Sequence, residues 1–145
     1  MCSYCGCDSI ESIGRFMEEH GEIINRLGEL RRATASGDAA ARERAADRLA
    51  ELLDPHTRAE EVGLFHVLRE DPEFTEHIDR LCGEHTGIDE LLAAVRAGDA
   101  ARMPDLELAL RAHIDHEDNG LFPAAAIALA GGDGWERVHD LTPAP

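Results

Sequence analysis

Apolar side chains recur early in the chain as Ile10, Ile13, Met17, Ile24, Leu27 and Leu30, spacings that favour one face of a helix. Asp8 or Ser9 supplies a side-chain cap, and Ser36-Gly37 stops the helix at about Ala35. His20 falls on the same stripe between Met17 and Ile24, so it points inward. A second helix, capped by Asp38, carries Leu49, Leu52 and Leu53 up to Pro55. Proline normally breaks or kinks a helix, yet the pattern resumes through Val62, Leu64, Phe65 and Leu68. This predicts a kinked helix, or two abutting ones, over about 38–69. Asp71-Pro72 restarts the chain, and a third helix over about 73–97 turns Phe74, Ile78, Leu81, Ile88, Leu91, Leu92 and Val95 inward, with His85 among them. Gly98-Asp99 repeats the Gly37-Asp38 punctuation. A fourth helix then runs through Leu106, Leu110, His113 and Glu117 to Leu121, is disturbed at Pro123, continues to Ala130 and ends at Gly131-Gly132. Trp135, Val138, His139 and Leu141 suit a short docking helix, and the final Thr-Pro-Ala-Pro is expected to fray.

One stretch occurs twice. His56-Thr57-Arg58-Ala59-Glu60-Glu61-Val62-Gly63-Leu64-Phe65 is matched by His113-Ile114-Asp115-His116-Glu117-Asp118-Asn119-Gly120-Leu121-Phe122. In each, histidine and the glutamate four residues on lie on one helix face and form a two-pronged clamp. Each half of the chain is a helix with one inward histidine, a Gly-Asp turn, then a helix with a clamp. Two such hairpins packed face to face predict an all-α, up-down-up-down antiparallel four-helix bundle with a metal site in its core and a short C-terminal helix. The predicted domains are a Cys-rich segment at 1–8, the bundle at 9–131, and a docking helix and tail at 132–145.

All four helices then direct ligands at one place: His20, His56, Glu60, His85, His113 and Glu117. A lone inward histidine is more often a satisfied core residue. Six polar groups on inward stripes would each cost about 1–3 kcal/mol if unpartnered, and a pair of ions satisfies them together. Four histidines and two carboxylates exceed a tetrahedral zinc site and match two irons or manganese ions with bridging carboxylates. Glu61 and Asp118, one residue beyond the clamps, turn about 140° away from the histidine on an ideal helix. Both are expected to face solvent or lie just outside the ligands, with Asp118 a reserve ligand if a π-bulge turns it in. His116 could reach the site or support it. His66 and His77 are surface or interhelical residues, and Cys82 is a small buried hydrophobe.

Charge and cysteines refine this picture. Thirty acids against fourteen Lys and Arg leave −16, which argues against nucleic-acid or anionic-membrane partners. Without a membrane-length apolar run or a leader, the chain is expected to be soluble and cytoplasmic, its thiols metal ligands or redox groups rather than disulfides. Cys2, Cys5 and Cys7 bring three thiols together, one ligand short of a closed zinc site. His139 is the first choice for the fourth, with His116 and Cys82 as alternatives. A redox-active thiol tail, or a disulfide between two of the three, is the competing reading.

The six-residue pattern, with Leu-Phe after each clamp, resembles the haemerythrin-like (HHE cation-binding) proteins of the bacterial type over about residues 9–131. The resemblance implies a non-haem di-iron centre bridged by oxo or hydroxo and by two carboxylates. Oxygen-carrying haemerythrins have a further histidine four residues before the third-helix one, where this chain has Leu81. One fewer nitrogen leaves a coordination position for water, peroxide or another group, including Tyr4 if the N-terminus folds back. The implied function is therefore reaction with hydrogen peroxide (catalase-like) or nitric oxide in redox-stress defence. In it, peroxide binds end-on or bridging, the irons cycle between diferric and reduced states, and no separate protein nucleophile is needed. The alternatives are an O2, NO or iron carrier or redox sensor with little turnover, and a structural bundle holding zinc or nothing. The electron donor stays open.

Overall fold

The first stripe folds into helix α1, Glu11–Ser36, in a computed structural model that describes residues 6–145. Gly37 ends it with φ 74°, a left-handed conformation that glycine adopts without strain, and its N–H bonds to Thr34 O. Neither Asp8 nor Ser9 caps it. Cys7–Ser9 form a 3-10 turn and the extended Ile10 takes the cap position. The Asp8 carbonyl instead approaches Gly14 so closely that a Cβ there would lie 2.6 Å away. The buried face is wider than the predicted stripe: Phe16 and Ile23 are wholly buried and Ile24 only partly. Helix α1 packs against both α2 (Ala39–Glu60) and α5 (Met103–His116), and two neighbours cover a broader arc than one.

Asp38 caps α2 as expected, its side chain accepting from Ala41 N–H. Pro55 does not interrupt α2. Both it and Glu51, whose carbonyl loses a helical partner, are exposed, so water can satisfy the freed group. The disturbance comes later, as a π-helical turn over Glu61–Phe65 that leads into α3, His66–Leu68. The chain restarts at Asp71-Pro72 and forms α4, Thr75–Arg96. The fourth predicted helix behaves like the second. After α5 comes a π-helical turn over Glu117–Leu121, and α6, Phe122–Ala128, follows with Pro123 harmlessly in its first turn. Among the described residues no strand occurs, and no helix is long and apolar enough to cross a membrane.

Helix α1 packs on α2, α4 on α5, and the two pairs meet through α2 against α4 and α1 against α5. Two apolar clusters result. One holds Ile13, Phe16, Met17, Leu64, Phe65, Leu81, Leu121 and Phe122. The other holds Ile23, Leu27, Leu30, Leu49, Leu53, Ile88, Leu106 and Leu110. The inward histidines occupy the layer between them: His20 separates Met17 from Ile23, and His85 separates Leu81 from Ile88. The predicted docking helix forms as α7, Gly134–Leu141, with Val138 wholly buried. The tail after it meets α1 at one point, where Arg15 Nη1–H donates to Pro143 O at 2.6 Å.

Helix α7 sits on the first π-helical turn, where Gly63 faces Thr142. A Cβ on Gly63 would lie 2.2 Å from Thr142 Oγ1. Gly63→Ala is therefore expected to lift the tail and cost about 1–3 kcal/mol. Thermal unfolding measures this, and adding Thr142→Ala should recover much of the loss. A Gly63→Ala protein as stable as the parent would show that the contact is not close-packed.

Candidate metal centre

His56 and Glu60 lie in the last turns of α2, His113 lies near the end of α5 with Glu117 just after it, and a π-helical turn follows or begins at each glutamate. A π-turn spends an extra residue per revolution. Glu60 and Glu61 can then both reach the interior side, as can Glu117 and Asp118, although an ideal helix would separate them. Glu60 and Glu117 are wholly buried, and His20, His56, His85 and His113 nearly so. Their ligand atoms form two groups, His20/His56/Glu60/Glu117 and Glu60/His85/His113/Glu117, each with all atoms within 4.8 Å of one another. Both glutamates belong to both groups. Among the described residues these are the clusters with metal-ligand spacing.

The donor chemistry fits a cation better than it fits itself. Each inward histidine gives its Nδ1–H to a carboxylate: His20 to Asp118 at 2.8 Å, His56 to Glu19 at 3.0 Å, His85 to Glu61 at 2.8 Å and His113 to Glu84 at 2.9 Å. A carboxylate can only accept, so Nδ1 carries the proton and a neutral ring has a lone pair at Nε2 facing the interior. There His85 Nε2 meets His113 Nε2 at 3.0 Å, and two lone pairs cannot bond without a proton or a cation between them. His20 Nε2 lies 3.1 Å from Glu117 Oε1 and His56 Nε2 2.9 Å from Glu60 Oε1. These approaches lack hydrogen-bond geometry, which leaves both ring nitrogens and all four glutamate oxygens buried without a partner. A first-row ion at about 2.0–2.2 Å from each donor would satisfy them, and the donor spacings are close to what that requires.

The Leu-Phe after each clamp packs the lone histidines. Phe65 stacks on His85 with centroids 5.8 Å apart, and Phe122 stacks on His20 at the same 5.8 Å. Leu81 is wholly buried in the apolar cluster around Phe65. On the other side of the site is a cavity of about 10 Å³ bounded by the four histidines, Ile23, Leu53, Ile88 and Leu110.

Glu61 and Asp118 lie outside both clusters and accept from Nδ1–H of His85 and His20. The π-bulge envisaged for one repeat occurs in both. Glu19 and Glu84 escaped the sequence reading. Their signal was a second, shorter repeat, Glu-His-x-x-Ile at 19–23 and again at 84–88. His116, half exposed, gives its Nδ1–H to Glu84 at 2.9 Å and so touches the site only through that carboxylate. Cys82 is half-buried, and Arg69 Nη2 donates to its sulfur at 3.7 Å.

The N-terminal site needs correcting. Cys7 is buried and disulfide-bonded, so its sulfur is not a metal ligand here, and the disulfide alternative applies to it. Cys2, Tyr4 and Cys5 lie outside the described residues. His139 is 63% exposed, with its Nδ1 3.8 Å from Glu11 Oε2.

The chain matches the model of the Hemerythrin HHE cation binding domain over residues 12–125, and it belongs to that family. No curated relative and no solved structure matches it. The family and the buried donor set together define a cation-binding, iron-type helical protein.

With protons as the only counter-charge, the site titrates unusually. Burial pulls His20 and His113 down, but carboxylates outweigh it and hold both at about 9: Asp118 and Glu117 for His20, Glu117 and Glu60 for His113. His85 is lowered by burial and by the His113 charge. Burial and the Glu117 charge push Glu60 well up. Burial opposes ionisation of Glu117, but the adjoining Glu60 carboxyl and the His113 and His20 imidazoles hold it well below the usual range. A raised histidine stabilises the fold fully below its ordinary value near 6.5 and loses that contribution as pH rises through about 9. Raised Glu60 acts in the same direction. The chelator-treated protein should therefore lose thermal stability between about pH 6.5 and 9. The metal-loaded protein, its histidines already neutral, should lose little, and metal affinity should climb over that window. Denaturation scans with and without metal check both. A chelated protein with flat stability would contradict the assignment.

Proposed function

We propose that this chain is a dinuclear iron protein whose centre reacts with hydrogen peroxide in a catalase-like way, or with nitric oxide. We read the four long helices as an up-down-up-down bundle over about 9–131. In support, Glu19 meets His56 where Glu29 meets Arg48, so contacts between α1 and α2 run in opposite chain order. His20, His56, His85 and His113 would hold the irons, and Glu60 and Glu117, present in both clusters, would bridge them with an oxo or hydroxo group. The bound pair supplies electron exchange and Lewis acidity.

The observation that carries the choice of substrate is the cavity. At about 10 Å³ it has room for about one water, and its wall beyond the histidines is Ile23, Leu53, Ile88, Leu110 and Ile114, with Thr57 and Asp89 as the polar members. So tight a site favours a reactant of one or two heavy atoms, such as peroxide, nitric oxide or dioxygen, over an organic substrate. Leu81 supports an open position, since the residue where oxygen carriers place another nitrogen is here a wholly buried hydrocarbon. The chain's own groups bind and orient. The apolar wall restricts water, the Nδ1 carboxylates fix each ring, and none of them acts as a nucleophile. Catalase-like turnover converts two peroxides into one dioxygen and two waters, so it needs no external electron donor, whereas nitric oxide reduction would need one. Soluble cytoplasmic residence and the absence of nucleic-acid or membrane partners remain part of this reading, in keeping with the −16 charge. A zinc at the N-terminal cysteines would require the disulfide of Cys7 to be reduced first.

Aerobically purified protein should contain about two irons per chain and show oxo-to-iron charge-transfer bands. Glu60→Ala or His85→Ala should lose most of that iron. Peroxide added to the iron-loaded protein should decay with release of dioxygen. Full iron with untouched peroxide would remove the catalase-like version, and rapid nitric oxide binding without turnover would then favour the carrier or sensor. Zinc alone, with no iron after anaerobic reconstitution, would leave a metal-stapled bundle.

A further inference from the structure

The four Nδ1 carboxylates form a closed circuit. Helix α1 lends Glu19 to His56 of α2, and the π-turn after α2 lends Glu61 to His85 of α4. Helix α4 lends Glu84 to His113 of α5, and the π-turn after α5 lends Asp118 to His20 of α1. Every element that carries a donor histidine therefore takes a carboxylate from one neighbour and gives one to the next. The order α1, α2, α4, α5 is also the order in which the helices touch around the bundle.

This regularity has a sequence basis that the ligand pattern does not require. The residue before each lone histidine, Glu19 or Glu84, serves a clamp histidine. The residue after each clamp glutamate, Glu61 or Asp118, serves a lone one. Arginine pairing does not account for them as a set: Arg15 pairs with Glu19 at 3.3 Å, but Glu61, Glu84 and Asp118 have no arginine partner among the ion pairs of the described residues. Asp118 is buried, yet its partner is an imidazole whose other nitrogen points into the donor cluster without a hydrogen bond.

We infer that Glu19, Glu61, Glu84 and Asp118 are a ring of positioning residues that fixes all four imidazoles and biases the centre toward its more positively charged, oxidised state. This inference rests on the two-metal reading above. Two physical effects carry it. A hydrogen bond from Nδ1–H to an anion locks the tautomer and ring orientation and makes Nε2 a stronger donor. The ring also adds four carboxylates to the two of the clamps, Asp118 from a buried position and Glu19, Glu61 and Glu84 from partly exposed ones, each in direct contact with a buried ring. An oxidised pair of ions carries more positive charge than a reduced pair, so the ring stabilises it preferentially. The π-turns gain a purpose by the same argument, for without the extra residue Glu61 and Asp118 would turn away.

The test uses Glu19→Gln, Glu61→Gln, Glu84→Gln and Asp118→Asn, which keep an acceptor oxygen and remove the charge, beside Glu61→Ala and Glu84→Ala, which remove both. Glu61 is 44% exposed, so its variants should fold whatever the others do. Two quantities are read on folded protein: Co²⁺ affinity by titration, and the reduction potential of the iron-loaded centre by spectroelectrochemistry. The alanine variants should bind Co²⁺ roughly 10–100-fold more weakly. The amide variants should lose less affinity but show a higher potential, rising further in combination. A merely structural role would not move the potential of a variant that holds its metal. Iron-loaded variants matching the parent in both quantities would overturn the ring and leave the iron reading intact. A parent that takes cobalt but no iron, with affinities still falling in the variants, would support the ring as the positioning shell and sink the iron reading.

Discussion

The structure depends on a cost that the protein alone cannot remove. Two ring nitrogens and four carboxylate oxygens are buried with no hydrogen-bond partner, in a layer walled by hydrocarbon on both sides. Each such atom would ordinarily cost about 1–3 kcal/mol. Hydrophobic packing of the two clusters is what forces the donors inward, because each lies on the same stripe as the leucines and isoleucines around it. The fold thus holds open a concentration of lone pairs that a cation relieves. Protons relieve it partially, which explains why His20 and His113 are raised while His85 is lowered.

Duplication explains the economy of the arrangement. A single hairpin offers one lone histidine and one clamp, too few to surround an ion and with nothing to cover the donors. Two copies bring a glutamate from each half into both donor clusters. The second half also covers the first: Phe65 of one clamp stacks on the lone histidine of the other half, and Phe122 does the reverse. The Leu-Phe of each repeat is thereby a packing element for the opposite half.

The π-helical turns link backbone to chemistry. They are energetically poor geometry for a helix, tolerated where something else over-determines the backbone. At Glu61–Phe65 that support is visible on the outside, where α7 and Thr142 press against Gly63, and on the inside, where Leu64 and Phe65 are buried. The C-terminal helix thus packs on the same turn whose first residue, Glu61, meets His85. The overall acidity has a similar local meaning, since several of the acids behind the −16 charge are directed at histidines rather than dispersed over the surface.

Helix extents, the Gly37 stop, the Asp38 cap and the inward direction of His20, His56, Glu60, His85, His113 and Glu117 were legible in the sequence. They follow from a period of 3.6 residues and from local capping chemistry, both expressed within a few neighbouring positions. The family was legible for the same reason, because its pattern is a set of short spacings. What the sequence left open depends on contacts between distant segments. Pro55 passes through α2 because solvent meets that face, whereas the π-helical turns begin at Glu61 and Glu117, where Glu61 and Asp118 meet histidines of neighbouring helices. Phe16 and Ile23 are buried because α1 has two neighbours. Glu19 and Glu84 look like ordinary surface acids until the next helix brings a histidine to them. The pairing of Cys7 was equally undecided by spacing. The sequence by itself determined which side chains face inward; only the packed helices decided which of them meet, because helical periodicity sets direction and tertiary contact sets distance.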